Sequence, residues 1–328
     1  MQPDPTVRKV LIYRLGSLSD TVVALPCFHL IARMFPRAER VLLTNFPAHS
    51  KAPASAAVLG DSDLVHSYMR YPVGTRRVDE LLRLAWKIRR FRAELLVYLT
   101  SSRPMSSSLM PTSPMKNISR VQMFFRMAGV RRIVGLPDEE GLKHRFDATT
   151  GLYEPEASRL ARTIAALGDA NPENIANWNL RLTAAEKNTA TYALTPVHGR
   201  RLIACAPGCK VPGNDWEWEN WRALLGRVSR KYPAHVLVMA GAKEDAKTCD
   251  YAAQDWAGDK LNLAGILSPR ECAAVFAHAE IFIGPDFWPK HLAACMGIPC
   301  VCVLSARDLP GVSVDEMEQA VDRVLSGV

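Results

Sequence analysis

One stretch constrains the fold more than any other part of the chain, namely residues 281–304, IFIGPDFWPKHLAACMGIPCVCVL. Its first residues form an apolar run that ends at Gly284, which is typical of a strand in a buried parallel sheet. Pro289 suits the first turn of a helix, because its missing N–H would have no partner there, and Gly297 suits the helix end. Pro299 prevents the helix from continuing, and an apolar strand then restarts. The stretch therefore predicts a strand–helix–strand unit.

This unit puts three polar residues where α/β proteins usually bind ligands. Asp286, Lys290 and His291 follow the first strand and begin the helix. In open parallel sheets, ligands bind outside the carboxyl ends of the strands, and a helix N-terminus attracts phosphate groups. We therefore expect a phosphate-containing ligand at this place.

The composition is that of a globular protein with excess positive charge. The 328 residues can hold two domains, and a net charge of +8 suggests an acidic ligand: a nucleotide, a phosphorylated glycan, nucleic acid or an anionic membrane. The N-terminus lacks the apolar core of a signal peptide and no apolar run approaches the roughly 20 residues that cross a bilayer, so we expect a cytoplasmic protein. The eight cysteines lack paired spacing, which predicts free thiols without zinc or disulfides.

A second candidate site follows the first strand, which the apolar pattern places at residues 7–13. The next stretch, RLGSLSDTVVALPCFHLIARMFP, contains Gly16, which permits a turn, and Ser19 or Asp20, either of which can cap the helix. The spacing matches neither a Walker A loop nor a dinucleotide GxGxxG motif. Asp20 has two interpretations: a helix cap that contributes about 1 kcal/mol, or a carboxylate that projects into a ligand crevice.

Two basic segments lie further along the same half of the chain. Residues 76–92, RRVDELLRLAWKIRRFR, predict an amphipathic helix whose basic side is either solvated or faces a membrane or phosphate groups. Its predicted inward residues are Val78, Leu81, Leu82, Ala85 and Ile88. Residues 101–120 lack a clear period and predict a loop, either a lid or binding segment or a disordered insertion. Arg103, Lys116 and Arg120 would give this loop a basic lining.

The second half of the chain repeats the alternation of strands and helices. Residues 171–188 are interpreted as the passage between the two series. The sequence therefore predicts an α/β protein with two doubly wound parallel-sheet domains, residues 1–180 and 181–328, and a cleft between them.

These features together resemble glycosyltransferase family 9, which includes the ADP-heptose:lipopolysaccharide heptosyltransferases. The stretch RLGSLSDTVVALP resembles the family's R-x-G-x-x-G-D opening and the T-x-P that follows it. In the second half, APG, a W-x-x-x-x-W-x-x-L helix at residues 216–224, LAG at residues 263–265 and residues 281–304 resemble the donor-binding domain. The resemblance covers most of the chain and implies the GT-B fold, in which two Rossmann-like domains face each other across a cleft.

The resemblance also implies an activity, namely transfer of a sugar from a nucleotide-diphosphate donor with inversion and without a metal or other cofactor. Asp20 matches the family's catalytic aspartate, a general base for the acceptor hydroxyl. The donor-binding residues implied here are Pro207, Gly208, Lys210, Asp286, Phe287, Trp288, Lys290 and His291. The acceptor-binding residues are Gly16, Ser17, Ser19, Arg103, Lys116 and Arg120. The implied donor is ADP-heptose or a relative, and the acceptor is a lipopolysaccharide core or a similar anionic glycan, with peripheral contact to the cytoplasmic face of the inner membrane.

The chain departs from the family pattern at three points. A serine replaces the usual glycine before the catalytic aspartate, and Asn214 stands where the family has a lysine. Phe287 and Trp288 replace small residues that let the donor approach the backbone, so the pocket is either filled or rebuilt with an aromatic face. Lys210 or Lys290 would then supply the missing positive charge to a diphosphate.

Other functions stay open at this point. The chain could be a family member that has lost catalysis and serves as a binding or scaffold protein, or a nucleotide-sugar epimerase, since one fold supports several chemistries. Nucleic-acid binding is disfavoured, because no basic cluster is interleaved with aromatic residues in a recognisable module. His29, His235 and His278 lack metal-ligand spacing and are predicted to be structural.

Overall fold

The computed structural model describes residues 2–47, 54–75, 77–100, 114–208, 216–303 and 311–327. The chain divides into two compact units, Met1–Arg181 and Leu182–Val328, and the division differs by one residue from the predicted boundary. Each unit contains its own five-stranded parallel sheet.

The first unit is organised around a sheet with the strand order β3-β2-β1-β4-β5. Its strands are β1 (Lys9–Tyr13), β2 (Glu39–Thr44), β3 (Ser67–Arg70), β4 (Leu95–Tyr98) and β5 (Arg132–Val134). A separate antiparallel hairpin pairs β6 (Phe146–Asp147) with β7 (Leu152–Tyr153). The helices are α1 (Leu18–Val23), α2 (Leu25–Met34), α3 (Ala56–Leu59), α4 (Val78–Phe91), α5 (Pro114–Met127), α6 (Glu139–Leu142) and α7 (Glu156–Thr163).

Proline and local pairing account for several differences from the sequence-based prediction. The first predicted helix is divided into α1 and α2, because Pro26 has no N–H to continue the hydrogen-bond ladder. Helix α5 begins at Pro114, so residues 114–120, predicted as part of a loop, are helical. The β6–β7 hairpin was missed, because each of its strands has only two residues and leaves no alternating pattern.

The inward face of α4 was predicted correctly for Ile88, which is buried, but wrongly for Val78 and Leu82. Leu84 and Ile88 are the buried residues of this helix, whereas Val78 and Leu82 are mostly exposed. Leu84 and Ile88 pack with Phe125 of α5 against the sheet. The predicted face is rotated relative to the observed one, because α4 carries two overlapping apolar stripes and hydropathy alone does not decide which stripe the sheet covers.

The predicted passage between the domains is shorter than expected. Residues up to 181 belong to the first unit, where the Arg33 guanidinium donates to Asn177 Oδ1 at 2.6 Å. His29 Nε2 donates to the carbonyl oxygen of Asn179 at 2.7 Å. The second unit begins within two residues with Thr183, which caps helix α8 (Ala184–Ala193).

The second unit repeats the strand order of the first, as β10-β9-β8-β11-β12. Its strands are β8 (Arg201–Cys205), β9 (His235–Met239), β10 (Lys260–Asn262), β11 (Ala279–Pro285) and β12 (Cys300–Val303). The helices after α8 are α9 (Trp218–Lys231), α10 (Ala246–Ala252), α11 (Pro269–Phe276), α12 (Trp288–Cys295) and α13 (Val314–Leu325). The predicted strand–helix–strand unit is confirmed by β11, α12 and β12.

The core of this unit is aromatic and thiol-rich. Trp216 and Trp221 meet edge to face with ring centroids 4.8 Å apart. Every cysteine in the described ranges is a free thiol, and those buried in this unit are Cys205, Cys249, Cys272 and Cys295. No helix in those ranges is both long and apolar enough to span a bilayer.

Candidate functional site

The loop after β1 lies at the point where the strand order of the first sheet reverses. Strand β1 pairs with β2 on one side and β4 on the other, so crossovers leave it in both directions. In doubly wound sheets this reversal opens a crevice outside the carboxyl ends of the strands. Gly16, Ser17, Ser19 and Asp20 all lie in the short connection and first helical turn that follow β1.

Asp20 takes part in a reciprocal cap of α1. Ser17 is the N-cap residue, and neither Ser19 nor Asp20 is, which corrects the sequence-based prediction. The Asp20 carboxylate accepts from both Ser17 N and Ser17 Oγ at 2.7 Å through Oδ2, and Ser17 Oγ accepts from Asp20 N at 3.2 Å. Within the described part of the chain, all hydrogen bonds to this carboxylate go to Oδ2, so Oδ1 can accept a proton from a ligand. The two predicted interpretations of Asp20 are therefore compatible.

Gly16 makes room for the Asp20 side chain. A Cβ at position 16 would lie 2.6 Å from Asp20 Cβ and 2.9 Å from Asp20 Oδ2. The Gly16 N–H donates to Asn45 Oδ1 at 2.8 Å, which ties the loop to the carboxyl end of β2. Position 16 therefore requires glycine both for the turn and for the contact with the Asp20 carboxylate.

Two fully buried arginines lie beneath this loop. Arg14 donates to the carbonyl oxygen of Asp20 at 2.7 Å and to that of Leu99 at 3.3 Å. Arg159 donates to the carbonyl oxygen of Thr100 at 2.5 Å and forms a two-point ion pair with Glu156. Burial lowers the pKa of Arg14, and the carboxylates of Asp20 and Glu156 oppose that effect. Two guanidinium groups thus hold the end of β4 beside the Asp20 loop.

In the second unit, the segments after β8 and β11 lie next to each other at the equivalent reversal of strand order. The Ala206 N–H donates to the carbonyl oxygen of Ile283 at 3.1 Å. A Cβ at Gly284 would lie 2.9 Å from the carbonyl oxygen of Ala206, so glycine allows this close approach. Pro207 is buried and Gly208 is half-buried. The structure therefore brings the Pro207–Gly208 segment beside the start of the Asp286 segment.

Asp286 is the centre of a charged cluster at the start of α12. Lys290 Nζ donates to Asp286 Oδ1 at 2.8 Å, and His291 Nε2 lies 3.6 Å from the same oxygen. Burial alone would lower the pKa of Lys290, but the hydrogen bond and charge of Asp286 raise it above its usual value. Lys290 is therefore a cation at neutral pH, and Asp286 accepts one of its hydrogen bonds.

Phe287 and Trp288 form the beginning of α12. Phe287 is the N-cap residue, has an extended backbone and offers no side-chain oxygen to the first helical turn. Both residues are half-buried, so neither lies fully inside the core.

Of the remaining predicted binding residues, the structure describes the side chain of Arg120 alone. Arg103 and Lys210 lie outside the described residues, and so does the side chain of Lys116. Arg120 is exposed on α5, within a helix and not in the predicted loop.

The sequence-based prediction missed polar residues that the structure adds to both places. Asn45 follows β2 directly and Arg14 follows β1 directly, so a search for polar residues at strand ends would have found them. Asp245 lies six residues after β9, and its carboxylate packs against Gly208, where a Cβ would lie 2.7–2.9 Å from its atoms. Its Oδ2 accepts from the Ala242 N–H at 2.8 Å. Only the fold shows that this carboxylate reaches Gly208.

No group of three or more metal-ligating side chains occurs among the described residues. Burial raises the pKa of Cys300 to about 12 and also raises that of Cys302, so neither thiol is a nucleophile at neutral pH.

Comparison with solved structures identifies the fold. A glycosyltransferase family 9 protein from Veillonella parvula matches 100% of this chain and 99% of its own, with a TM-score of 0.71 and 13% identity. The Escherichia coli heptosyltransferase WaaC, solved with ADP, matches 97% of this chain and 98% of its own, with a TM-score of 0.65 and 15% identity. The predicted GT-B architecture of two Rossmann-like units is confirmed.

Sequence comparison identifies the family. Lipopolysaccharide heptosyltransferase 3 of Escherichia coli is 25% identical over 111 residues, which cover 34% of this chain and only 33% of that protein. The family model described as glycosyltransferase family 9 (heptosyltransferase) matches residues 115–308, more than half of the chain. This chain therefore belongs to glycosyltransferase family 9, the heptosyltransferase family.

Proposed function

We propose that this protein is an inverting, metal-independent glycosyltransferase that moves a heptose from ADP-heptose to a lipopolysaccharide core or a similar anionic glycan. We further propose that it works in the cytoplasm, at the inner face of the membrane. Membership of the heptosyltransferase family and the similarity to an enzyme solved with ADP support this class of donor. The observation that carries the proposal is the position of Asp20, a carboxylate held at the reversal point of the first sheet.

Asp20 would act as the general base. Its Oδ2 is occupied by Ser17, which fixes the orientation of the carboxylate, and Oδ1 would take the proton of an acceptor hydroxyl. The acceptor oxygen then forms a bond to the anomeric carbon while the bond from that carbon to the diphosphate oxygen breaks. Because attack and departure occur on opposite faces of the sugar, the configuration inverts. The products are the glycosylated acceptor and ADP.

The second unit would bind the donor. The backbone N–H groups at the start of α12 and the segment at Gly208 would face the diphosphate, since helix N-termini favour anions. Lys290 would add positive charge to this place by exchanging part of its contact with Asp286 for the phosphate, and the His291 ring would offer a further polar contact. Asp245, after the second strand of the unit, would accept a hydrogen bond from a ribose hydroxyl, as acidic residues do in related folds.

A transfer assay with a matched pair of variants tests the base. Asp20→Asn keeps an oxygen acceptor for Ser17 but removes the proton acceptor, so we expect kcat to fall roughly 10²–10⁴-fold. Glu316→Gln is the control, because Ser313 and Glu316 form an equivalent cap on α13, with distances of 2.8 Å, 2.8 Å and 3.2 Å. Both variants should lose at most about 1 kcal/mol of stability.

If the two variants lose the same small amount of activity, Asp20 is only a cap and the proposed base is wrong. A chelator added to the wild-type assay should leave the rate unchanged if no metal takes part. Product formation without any acceptor would indicate an epimerase instead.

A thermal-shift panel tests the donor. A ligand that binds only the folded state raises the melting temperature, so ADP-heptose should produce a larger shift than GDP-, UDP- or dTDP-sugars. If none of the nucleotide sugars raises the melting temperature, a scaffold protein would be favoured and the proposed reaction would be contradicted.

A further inference from the structure

The outer side of α4 exposes a line of large apolar residues. Val78, Leu82 and Trp86 are four residues apart and therefore share one side of the helix. All three are between 58% and 67% exposed, while Leu84 and Ile88 attach the opposite side to the sheet. Exposed apolar residues are common when scattered, but a continuous line along a surface helix marks a surface that binds something.

The neighbouring helix α5 also exposes apolar residues on its outward side. Helices α4 and α5 pack on the same side of the first sheet, where Leu84, Ile88 and Phe125 share one core. Met123 and Met127, on the outward side of α5, are 59% and 65% exposed. We define the α4–α5 face by Val78, Leu82, Trp86, Met123 and Met127.

Positive charge surrounds the α4–α5 face. Arg83, Lys87 and Arg90 form a stripe on α4 beside the apolar line, and the Arg90 guanidinium lies 5.3 Å from the centre of the Trp86 ring. The exposed cations near this face are Arg83, Lys87, Arg89, Arg90, Arg120 and Arg126. The carboxylates of α4, Asp79 and Glu80, lie in its first turn and pair with Arg77 and Arg83. The sequence of α5 contains no acidic residue.

A shallow depression near the end of α4 concentrates this charge. It has a volume of about 460 Å³ and is lined by Lys9, Trp86, Arg89, Arg90 and Arg92. Every charged side chain in this lining is a cation. The depression could therefore accommodate a phosphate headgroup at the edge of the apolar line.

We propose that the α4–α5 face binds an anionic phospholipid bilayer, with the apolar line in the interfacial region and the surrounding cations on lipid phosphates. A helix with a strongly basic side and with Trp and Leu on its apolar side is typical of such surfaces. A second copy of the chain is a poorer occupant, because two faces of the same strong positive charge would repel each other. This inference rests on the membrane location proposed above, but lipid binding and sugar transfer are measured separately, so either can fail while the other holds.

Vesicle sedimentation with the full chain tests the proposal. The protein should sediment with vesicles of phosphatidylcholine and phosphatidylglycerol, and much less with phosphatidylcholine alone, and higher ionic strength should weaken binding. The double variant Lys87→Glu, Arg90→Glu should bind at least about twentyfold more weakly, since each cation near an anionic surface contributes about fivefold. The double variant Leu82→Ser, Trp86→Ser should also bind roughly tenfold or more weakly, through loss of apolar burial.

Matched controls come from the second unit. Lys187→Glu, Lys247→Glu changes the net charge by the same amount at exposed positions, and Tyr192→Ser, Ile266→Ser removes exposed apolar side chains. These controls should bind vesicles like the wild type, and far-ultraviolet circular dichroism should show that all variants are folded. Equal binding to neutral vesicles, equal loss in the controls, or a wild-type dimer that Leu82→Ser, Trp86→Ser dissociates would each overturn the proposal.

Discussion

At the scale of single residues, Gly16 and Asp20 depend on each other, because the Asp20 side chain occupies the space that a side chain at position 16 would need. The Asp20 carboxylate accepts two hydrogen bonds from Ser17 and lies against Gly16. Sequence reasoning assigned Gly16 to the turn and left Asp20 with two roles. The structure connects the residues, since the cap that orients the carboxylate requires a missing Cβ at position 16.

Gly16→Ala should therefore impair activity more than stability. The added methyl would lie 2.6 Å from Asp20 Cβ and must displace the carboxylate, and a misplacement of about 1 Å can cost roughly 10²-fold in rate. Gly199→Ala is the control, because Gly199 has a φ of +75° but no atom within 4 Å of an added Cβ. Transfer assays and thermal melts would compare the two, and a larger loss of activity in Gly199→Ala would contradict the assignment.

His29 should make stability depend on pH. Burial lowers its pKa, although its hydrogen bond to the Asn179 carbonyl opposes this, so the folded state favours the neutral ring. The unfolded chain has the ordinary value of about 6.5 and takes up the proton first as the pH falls, which lowers the free energy of unfolding below that pH. His29→Gln should therefore lose less stability than the wild type between about pH 7 and pH 5. Urea unfolding at several pH values measures this, with exposed His278→Gln as the control. Parallel slopes for the wild type and His29→Gln would be the contradictory result.

At the scale of elements, the sequence predicted helices correctly where the residues typical of helix ends agreed with the spacing of the apolar residues. Helix α12 was predicted from Pro289 and Gly297. The face of α4 was predicted only in part, because the sheet and α5, which are distant in sequence, decide which of its two apolar stripes is buried. The exposed stripe is the one that now suggests a membrane surface.

Replacing Arg159, which holds the end of β4, should lower the free energy of unfolding strongly. Its side chain is fully buried and joins α7 to the carbonyl oxygens of Thr100 and Gly141, while Glu156 balances its charge. Arg159→Met would leave Glu156 and two carbonyl groups without these bonds, so we expect a loss of about 3–5 kcal/mol. Arg200→Met, which breaks an exposed pair with Asp259 at 3.1 Å, should cost less than about 1 kcal/mol. Denaturant unfolding measures both, and equal losses would refute this account of Arg159.

At the scale of the whole molecule, the two units share one strand order, and each has its own core. Each has a five-stranded sheet of the same order and its own hydrophobic core. The repetition could be predicted from the sequence, because both halves alternate apolar strands with amphipathic helices. The position of Asp245 could not, because its importance comes from a contact with Gly208 that the alternation does not encode. The division also separates the proposed roles, since Asp20 belongs to one unit and Asp286 to the other.

The second unit alone should therefore bind the nucleotide. Residues 182–328 contain the complete sheet β10-β9-β8-β11-β12, its core, and the proposed donor contacts at Gly208, Asp245, Asp286 and Lys290. Expressed alone, this segment should fold, and ADP at about 100 times its dissociation constant should add about 2.7 kcal/mol of stability, a rise of roughly 5–10 °C in melting temperature. Residues 1–181 expressed alone serve as the control and should show no shift with ADP. A shift in the first unit, or its absence in a folded second unit, would mean that the donor is bound elsewhere, because every group proposed to contact ADP lies after residue 181.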